Sequence, residues 1–248
     1  MAGGKHRVAA ITRTGSDSKL TEGLTVKHID YDSHESIVSA LRGEDFLIIT
    51  LSVMAPPGTQ SKLIAAARDA GVHWIMPNEY GGDAHNTAAA QDTKIQFGYL
   101  ATRKEIEDAG LNFIALSCSF WYEYSLAGTE ARYGFDLDKR EVTFYDDGKQ
   151  KITSSTWVQC GRAVRALLDL PILPMNENDK QLTLSHFRND AIFIGSFHVS
   201  QRDMLDSVLR VTGAGENDWT IRHEDVKARF KRGQEMLAQG ERSTLRLA

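Results

Sequence analysis

The sequence has little of several features that define protein classes. Its 248 residues include only two cysteines, Cys118 and Cys160, too few for a disulfide scaffold. No stretch approaches the roughly 18 consecutive apolar residues of a membrane-spanning helix. The first residues carry no apolar run of the kind found in a secretory signal. We therefore expect no membrane partner and a cytoplasmic, reducing location in which both cysteines are buried apolar side chains.

Several kinds of active site are also missing. The 29 Lys and Arg are scattered among 33 Asp and Glu, so no basic stripe indicates a nucleic-acid partner. The histidines and cysteines lack metal-ligand spacing, which predicts no metal site. There is no Gly-x-Ser-x-Gly elbow for an acyl-transfer serine. The pair Tyr145 and Lys149 has the spacing of a catalytic dyad, but the intervening Asp-Asp-Gly predicts a turn, so we reject it.

The first half of the chain alternates short apolar runs with amphipathic stretches. Strands are predicted at 7–12, 24–29, 45–51, 72–76 and 112–117, and helices at 33–41, 59–70 and 92–109. This alternation predicts βαβ units and a parallel sheet with right-handed crossovers. The fold class is therefore α/β, a Rossmann-like doubly wound sheet.

The second half has a different pattern, typical of a smaller α+β region. A strand from Glu141 runs into a turn at Asp147-Gly148, and a second strand is expected at 190–197. Helices are predicted at 156–168, from Ser200 to 211 with Asp203 completing a capping box, and at 228–237. In the first of these helices, the inward residues are predicted to be Val158, Ala163, Val164 and Leu167. We predict a division into residues 1–126 and 127–248, with the second part packed on the same body.

Polar residues follow the first two strands. Arg13, flanked by Thr12 and Ser16, stands where dinucleotide-binding sheets meet the adenine ribose. A guanidinium there suits a 2′-phosphate, whereas an acid would select a 2′-hydroxyl. The alternative is a solvated loop arginine. Asp30 is a candidate acceptor for an adenine amino group, or equally a strand-end or helix N-cap residue.

The loops after later strands offer further candidates. Thr50 and Ser52 follow the third run, and Pro77-Asn78 opens a loop with two adjacent glycines after the fourth. Open α/β sheets bind ligands at these carboxyl ends, although each loop alone is compatible with a plain turn. The segment after the fifth run contains four aromatic residues in five positions, Phe120, Trp121, Tyr122 and Tyr124. They either line a cleft or form a packed hinge.

Several motifs together resemble the NmrA-like and isoflavone-reductase-like proteins, especially fungal ones. These motifs are Val8-Ala-Ala-Ile-Thr-Arg13, Asp30-Tyr-Asp32, Trp74-Ile-Met-Pro-Asn-Glu-Tyr-Gly81 and Cys118-Ser-Phe-Trp-Tyr-Glu-Tyr-Ser-Leu126, with matches continuing through 197–221. The family consists of atypical short-chain dehydrogenases that bind NADP(H). The resemblance implies that the cofactor contacts Thr12, Arg13, Ser16, Asp30, Thr50, Ser52, Pro77 and Asn78. It also implies a small substrate, aromatic or polyketide-like, held against Phe120, Trp121, Tyr122 and Tyr124.

The chain departs from the family pattern in three ways. The first strand and its Gly-x-x-Gly-x-x-Gly turn, which holds the cofactor pyrophosphate, have no counterpart, and the chain also looks shortened at its C-terminal end. The family's catalytic lysine position, eleven residues before Gly110, is occupied by Tyr99, with Lys94 and Lys104 out of register. Because the missing strand is the central one of the sheet, residues 8–11 and 46–51 are expected to have unpaired edges. Binding of NADP(H) by this chain is accordingly expected to be weak.

Two functions from different classes follow from the resemblance. The first is an NADP(H)-dependent oxidoreductase that transfers a hydride to a small organic substrate, with Tyr99 as proton donor. The alternative is a non-catalytic dinucleotide-binding redox sensor that acts through a protein partner. A product without any cofactor function is the third, simpler possibility.

Overall fold

A computed structural model describes residues 5–16, 19–52, 54–93 and 98–239. Its strands are β1 Ala9–Arg13, β2 Thr25–Ile29, β3 Phe46–Ile48, β4 Trp74–Met76, β5 Asn112–Ser117, β6 Phe120–Trp121, β7 Phe135–Asp136, β8 Glu141–Tyr145, β9 Ile152–Ser155, β10 Asp190–Phe193, β11 Phe197–Val199 and β12 Thr220–Glu224. Its helices are α1 His34–Leu41, α2 Thr59–Ala70, α3 Thr87–Thr93, α4 Tyr99–Asp108, α5 Tyr122–Leu126, α6 Trp157–Leu168, α7 Gln201–Thr212 and α8 Val226–Ala238. No helix of the described part is long and apolar enough to cross a membrane.

The chain divides by its internal contacts into two units. Unit 1 comprises Met1–Ser117 and Val164–Phe193, and unit 2 comprises Cys118–Ala163 and Ile194–Ala248. This division is discontinuous, whereas the sequence prediction cuts the chain once, after residue 126. The assignment of 1–126 to the cofactor and 127–248 to the substrate stays a prediction.

Unit 1 contains the predicted parallel sheet, in two pieces. β1 pairs with β2, and a second piece has the order β10-β5-β4-β3, with every pair parallel. No strand in the described part of the chain joins β1 to β3. Among the described residues, β1 therefore pairs on one edge with β2 and β3 on one edge with β4.

Helices α1 and α2 of unit 1 begin and end within one residue of the positions that their sequences predict. Ser33 caps α1 by accepting a hydrogen bond from the Ser36 amide, and α2 ends at Gly71, whose φ of 78° favours glycine. Each helix buries one apolar face, since Ile37 of α1 and Ile64 of α2 are at most 1% exposed. Both helices connect strands in the same direction along the sheet, so right-handed crossovers place them on one face.

Unit 2 contains two small sheets, with strand orders β11-β9-β6 and β12-β8-β7. The capping box of α7 is confirmed, because the Asp203 amide donates to Ser200 Oγ (3.1 Å) and the Ser200 amide to Asp203 Oδ2 (2.9 Å). The turn at Asp147-Gly148 is also present, closed by a 2.9 Å bond from the Gly148 amide to the Tyr145 carbonyl. The aromatic and aliphatic core of this unit includes Tyr133, Phe135, Phe144, Met204 and Trp219.

Four expectations about the elements were wrong. The long helix over 92–109 is two helices, α3 and α4, with 94–97 outside the described residues. The strand over 190–197 is β10 and β11, which pair in different sheets. In α6 only Leu167 is buried, and Val158 is 66% exposed, because helical spacing alone does not say which apolar face is covered. Cys118 is buried as expected, but the free thiol of Cys160, its hydrogen-bond partner, is partly exposed.

Candidate functional site

The end of β1 forms a tight turn that presents Arg13. The Ser16 amide bonds the Arg13 carbonyl (3.1 Å), and Gly15 between them has a φ of 76°. The Thr14 amide bonds the Ile29 carbonyl (3.0 Å), which fixes this turn beside the end of β2. Arg13 is exposed and forms an ion pair with no carboxylate in the described part of the chain. Its guanidinium is therefore available to an anion.

Asp30 is held as part of a turn. Its carboxylate accepts the Asp32 amide (2.9 Å), and its own amide donates to Ser36 Oγ (3.1 Å). The helix N-cap is Ser33, so the N-cap interpretation of Asp30 was wrong. Asp32 pairs with Lys62 of α2 at 2.7 Å, and this contact lowers the pKa of Asp32.

The loops after β3 and β4 are joined by one side chain. Asn78 accepts from the Leu51 amide (3.1 Å) and donates to the Leu51 carbonyl (3.2 Å), while its own amide donates to Gln60 Oε1 (2.8 Å). Ser52 Oγ accepts from the Met54 amide (3.1 Å). The predicted loop residues therefore do meet at one edge of the sheet.

A single open cavity of unit 1, about 1620 Å³, connects these strand ends. Of the eight predicted cofactor residues, six line it: Thr12, Arg13, Ser16, Asp30, Thr50 and Ser52. Pro77 and Asn78 do not line it, and Asn78 acts by holding the Leu51 backbone. The cavity extends along β1 and β3 and has apolar walls that include Leu41 and Leu63.

A buried ion pair lies in the loop after β4, and sequence reasoning missed it. Glu79 and Arg103 are 1% and 5% exposed, and two hydrogen bonds join them, one of them 3.0 Å from Arg103 Nε to Glu79 Oε2. Burial raises the pKa of Glu79, an effect that the Arg103 charge opposes. Arg103 Nη1 lies 3.3 Å from His85 Nε2, and its guanidinium stacks 5.4 Å from the centre of the Phe113 ring.

Tyr99, the predicted proton donor, stands one helical turn from Arg103 on α4. Its hydroxyl approaches Gly81 so closely that a Cβ there would lie 3.2 Å from it. Burial, and then the negative charge of Glu79, raises the pKa of Tyr99. The spacing of Tyr99 and Arg103, with a glutamate in the preceding loop, is the sequence signal that could have revealed this cluster.

The four aromatic residues of the predicted substrate pocket belong to unit 2 and divide into two groups. Phe120, Trp121 and Tyr124 are 54%, 37% and 49% exposed. Tyr122 packs into the unit, with its ring 5.2 Å from that of Phe197, and burial raises its pKa. Three of these rings are therefore available to a ligand, while Tyr122 is mainly structural.

Comparison with known proteins agrees with this architecture. A family model described as the NmrA-like family matches residues 1–129. The chain belongs to this family of proteins.

Two curated relatives are oxidoreductases. The oxidoreductase aprR of Aspergillus flavus is 27% identical over 244 residues, which cover 95% of this chain and 75% of the relative. The phenylcoumaran benzylic ether reductase TP7 of Nicotiana tabacum is 36% identical over 142 residues, 54% of this chain. The chain matches only 46% of the length of the tobacco enzyme.

Solved structures confirm the fold. An isoflavone reductase superposes with a TM-score of 0.72 at 19% identity, covering 97% of this chain and 78% of the enzyme. The protein AtPrR2, solved with NADP⁺ and (+)pinoresinol, gives a TM-score of 0.68 at 15% identity, covering 90% and 69%. NADP(H) is thus bound by structural neighbours of this chain.

Proposed function

We propose that this protein is an NADP(H)-dependent oxidoreductase of the isoflavone-reductase type that acts on a small aromatic substrate in the cytoplasm. The observation that carries the proposal is the convergence of Arg13, Thr12, Ser16, Thr50 and Ser52 on one cavity at the carboxyl ends of parallel strands. Cys118 and Cys160 are not joined by a disulfide, which is consistent with a reducing compartment.

The donors at the strand ends fit the phosphorylated ribose of NADP(H). Arg13 offers a bidentate guanidinium to the 2′-phosphate, with the hydroxyls of Thr12 and Ser16 beside it. Asp30, with a carboxylate oxygen at the same edge, is suited to the adenine amino group. Pro77 and Asn78 shape the adjoining loop, in which Asn78 holds the Leu51 backbone.

The reaction requires a hydride and a proton. When bound, NADPH supplies the hydride. Tyr99 supplies the proton from its phenol, which is protonated at neutral pH with an ordinary pKa of about 10. Burial and the charge of Glu79 raise this pKa further. Within unit 2, the exposed rings of Phe120, Trp121 and Tyr124 are suited to an aromatic substrate, and Tyr122 packs against Phe197.

Affinity for the cofactor is expected to be low. The sequence contains no Gly-x-x-Gly-x-x-Gly turn to hold the pyrophosphate. Losing two or three charge-assisted hydrogen bonds costs roughly 3–9 kcal/mol, which changes a micromolar site into a millimolar one or weaker. Micromolar binding of NADPH in a calorimetric titration would contradict this expectation.

Cofactor selectivity tests the role of Arg13. Ligand-observed NMR titrations are expected to give at least about tenfold tighter binding of NADPH than of NADH, because one charge-assisted contact is worth about 1.5–3 kcal/mol. Arg13→Ala narrows this ratio. Arg42→Ala, which removes an exposed arginine paired with Glu35, is the matched control and leaves it unchanged. Equal affinities of the unmutated protein for the two nucleotides would refute the assignment.

Turnover tests the role of Tyr99. With a panel of aromatic carbonyl and ene substrates, Tyr99→Phe is expected to lower NADPH oxidation by about 10²–10⁴-fold, with nucleotide affinity unchanged. Tyr145→Phe is the control, because it removes the phenol of the rejected Tyr145–Lys149 dyad. Similar rates for Tyr99→Phe and the unmutated protein would eliminate Tyr99 as the donor.

The second candidate is a dinucleotide sensor without turnover. It is favoured by Tyr99 itself, a phenol of raised pKa at the position where the resemblance implies a catalytic lysine. The same substrate panel separates the two functions: saturable NADPH binding without oxidation of NADPH supports the sensor.

A further inference from the structure

Unit 2 contains a cavity of its own, about 470 Å³ in volume. Its walls come from α5, the turn between β7 and β8, the second half of α7 and the residue before β12. Most of the lining side chains are apolar or aromatic. They are Tyr122, Leu126, Leu137, Val208, Val211 and Trp219. A cavity of this volume and lining is typical of a small-molecule site.

One wall residue, Trp219, has an unused hydrogen-bond donor. Its side chain is 9% exposed, and its ring packs edge to face with that of Phe135 at 6.3 Å between centres. The indole Nε1 is buried and has no hydrogen-bond partner among the described residues. A buried N–H without an acceptor is costly, and folded proteins rarely leave one unsatisfied. An acceptor supplied from within the cavity would remove this cost.

The cavity also has an unpaired positive charge. Among the described residues that line it, Arg140 carries a charge and none is acidic. The adjacent carboxylates are engaged elsewhere, because Asp136 pairs with Lys139 (2.9 Å) and Glu141 with Arg222 (3.0 Å). The guanidinium of Arg140 is therefore available to an anion.

Strand pairing sets Arg140 and Trp219 side by side. β8 and β12 run parallel in a register that opposes Glu141 to Thr220, and Arg140 and Trp219 each stand one residue earlier. The Arg140 carbonyl accepts from the Thr220 amide (2.9 Å), which fixes this arrangement. The φ of Arg140 is 53°, a left-handed conformation that is uncommon for residues other than glycine. Two donors of neighbouring residues thus belong to one wall.

The chemistry of the walls selects the class of ligand. A guanidinium and an indole N–H are donors without acceptor capacity, so the complementary group is an acceptor. A carboxylate fits best, because it forms charge-assisted hydrogen bonds with the planar fork of an arginine. The rings of Tyr122 and Trp219, together with the aliphatic side chains, suit an aromatic body.

We propose that this cavity is a binding site for a small aromatic carboxylate. The carboxylate pairs with Arg140 and accepts the indole N–H of Trp219, and the aromatic ring lies among the apolar walls. Every residue of the site belongs to unit 2. Binding depends neither on a nucleotide nor on the proton donor of unit 1.

The test titrates the full chain with 2-naphthoate and follows the indole N–H signals by two-dimensional NMR. The sequence has four tryptophans, and Trp219→Phe identifies the signal of Trp219. This signal is expected to shift with occupancy, whereas that of Trp121 changes little. The control ligand is 2-naphthamide, which keeps the ring and loses the charge. It is expected to bind at least about tenfold more weakly.

Two protein variants separate charge recognition from general affinity. Arg140→Met removes the guanidinium and keeps an unbranched side chain, and it is expected to weaken 2-naphthoate binding at least about tenfold with little effect on 2-naphthamide. Arg210→Met is the matched control, because Arg210 is an exposed arginine of α7 that does not line the cavity. It is expected to leave both affinities unchanged.

Three outcomes would overturn the proposal. They are the absence of binding at millimolar 2-naphthoate, equal affinities for the carboxylate and the amide, and a shift of the Trp121 signal in place of the Trp219 signal. The last outcome would assign the ligand to the exposed aromatic rings of residues 120–124. No NADP(H) is present in any sample, so failure here is distinguishable from failure of the proposed oxidoreductase function.

Discussion

The two pieces of the parallel sheet in unit 1 differ sharply in burial. All three residues of β4 and five of the six in β5 are buried, whereas β1 has no buried residue and β2 has only Ile29. A parallel strand is stable when both edges are paired and both faces are covered. β4 and β5 meet the first condition on each side, whereas among the described residues β1 is paired on one side, with β2. The difference indicates that the stability of unit 1 resides in β4, β5 and the helices packed on them.

The largest expected effect is at the loop after β4. Glu79→Ala leaves the Arg103 charge buried without its partner, and we expect a loss of about 3–5 kcal/mol in the free energy of unfolding. Urea denaturation measures this loss. The matched control is Glu35→Ala, which breaks the exposed pair with Arg42 and costs at most about 1 kcal/mol. Equal losses for the two variants would show that the buried Glu79–Arg103 pair contributes no more to stability than an exposed ion pair.

The core packing gives the next largest effect. Ile75 of β4 is fully buried, and Ile75→Ala is expected to cost about 2–5 kcal/mol. Val26 of β2 is 42% exposed, and Val26→Ala is expected to change stability by no more than about 0.5 kcal/mol. Both values come from the same denaturation experiment. Comparable losses would mean that β2 contributes as much to the core as β4.

Much of unit 1 was predictable because local signals and burial agree there. The apolar run at 112–117 became β5 with the same bounds, and the predicted helix over 59–70 became α2. Ser33 caps α1 because its hydroxyl stands just before an amphipathic stretch, and Ser200 caps α7 of unit 2 for the same reason. The carboxyl-end positions of Arg13 and Thr50 followed from the parallel topology.

The unpredicted features depend on contacts between distant parts of the chain. Glu79 and Arg103 are 24 residues apart, and only the packing of α4 against the loop makes them an ion pair. The exposure of Val158 likewise depends on which neighbours cover α6. The periodicity of α6 itself carries no information about those neighbours. Sequence periodicity gives the faces of an element, and tertiary packing decides which face is used.

The smallest expected effect is at the exposed ion pair that links the two pieces of the sheet. Asp32 follows β2 and pairs with Lys62 on α2, the helix that connects β3 to β4. This contact holds the pKa of Asp32 below its ordinary value, so its stabilisation is present above that value and is lost as the pH falls through the folded-state pKa.

Thermal unfolding between pH 5 and pH 2.5 measures this contribution. As the pH falls over this range, the midpoint temperature of unfolding is expected to decrease slightly more for the unmutated protein than for Asp32→Asn. This difference should shrink in 1 M salt because the pair is exposed. Asp108→Asn, which breaks the exposed pair with Lys104 within α4, serves as the control that bridges no gap. If the loss specific to Asp32 exceeds the loss specific to Asp108, the Asp32–Lys62 pair links the two pieces of the sheet. If the two losses are equal, β1 and β2 form a separate, weaker unit to which this pair adds no more than any exposed pair.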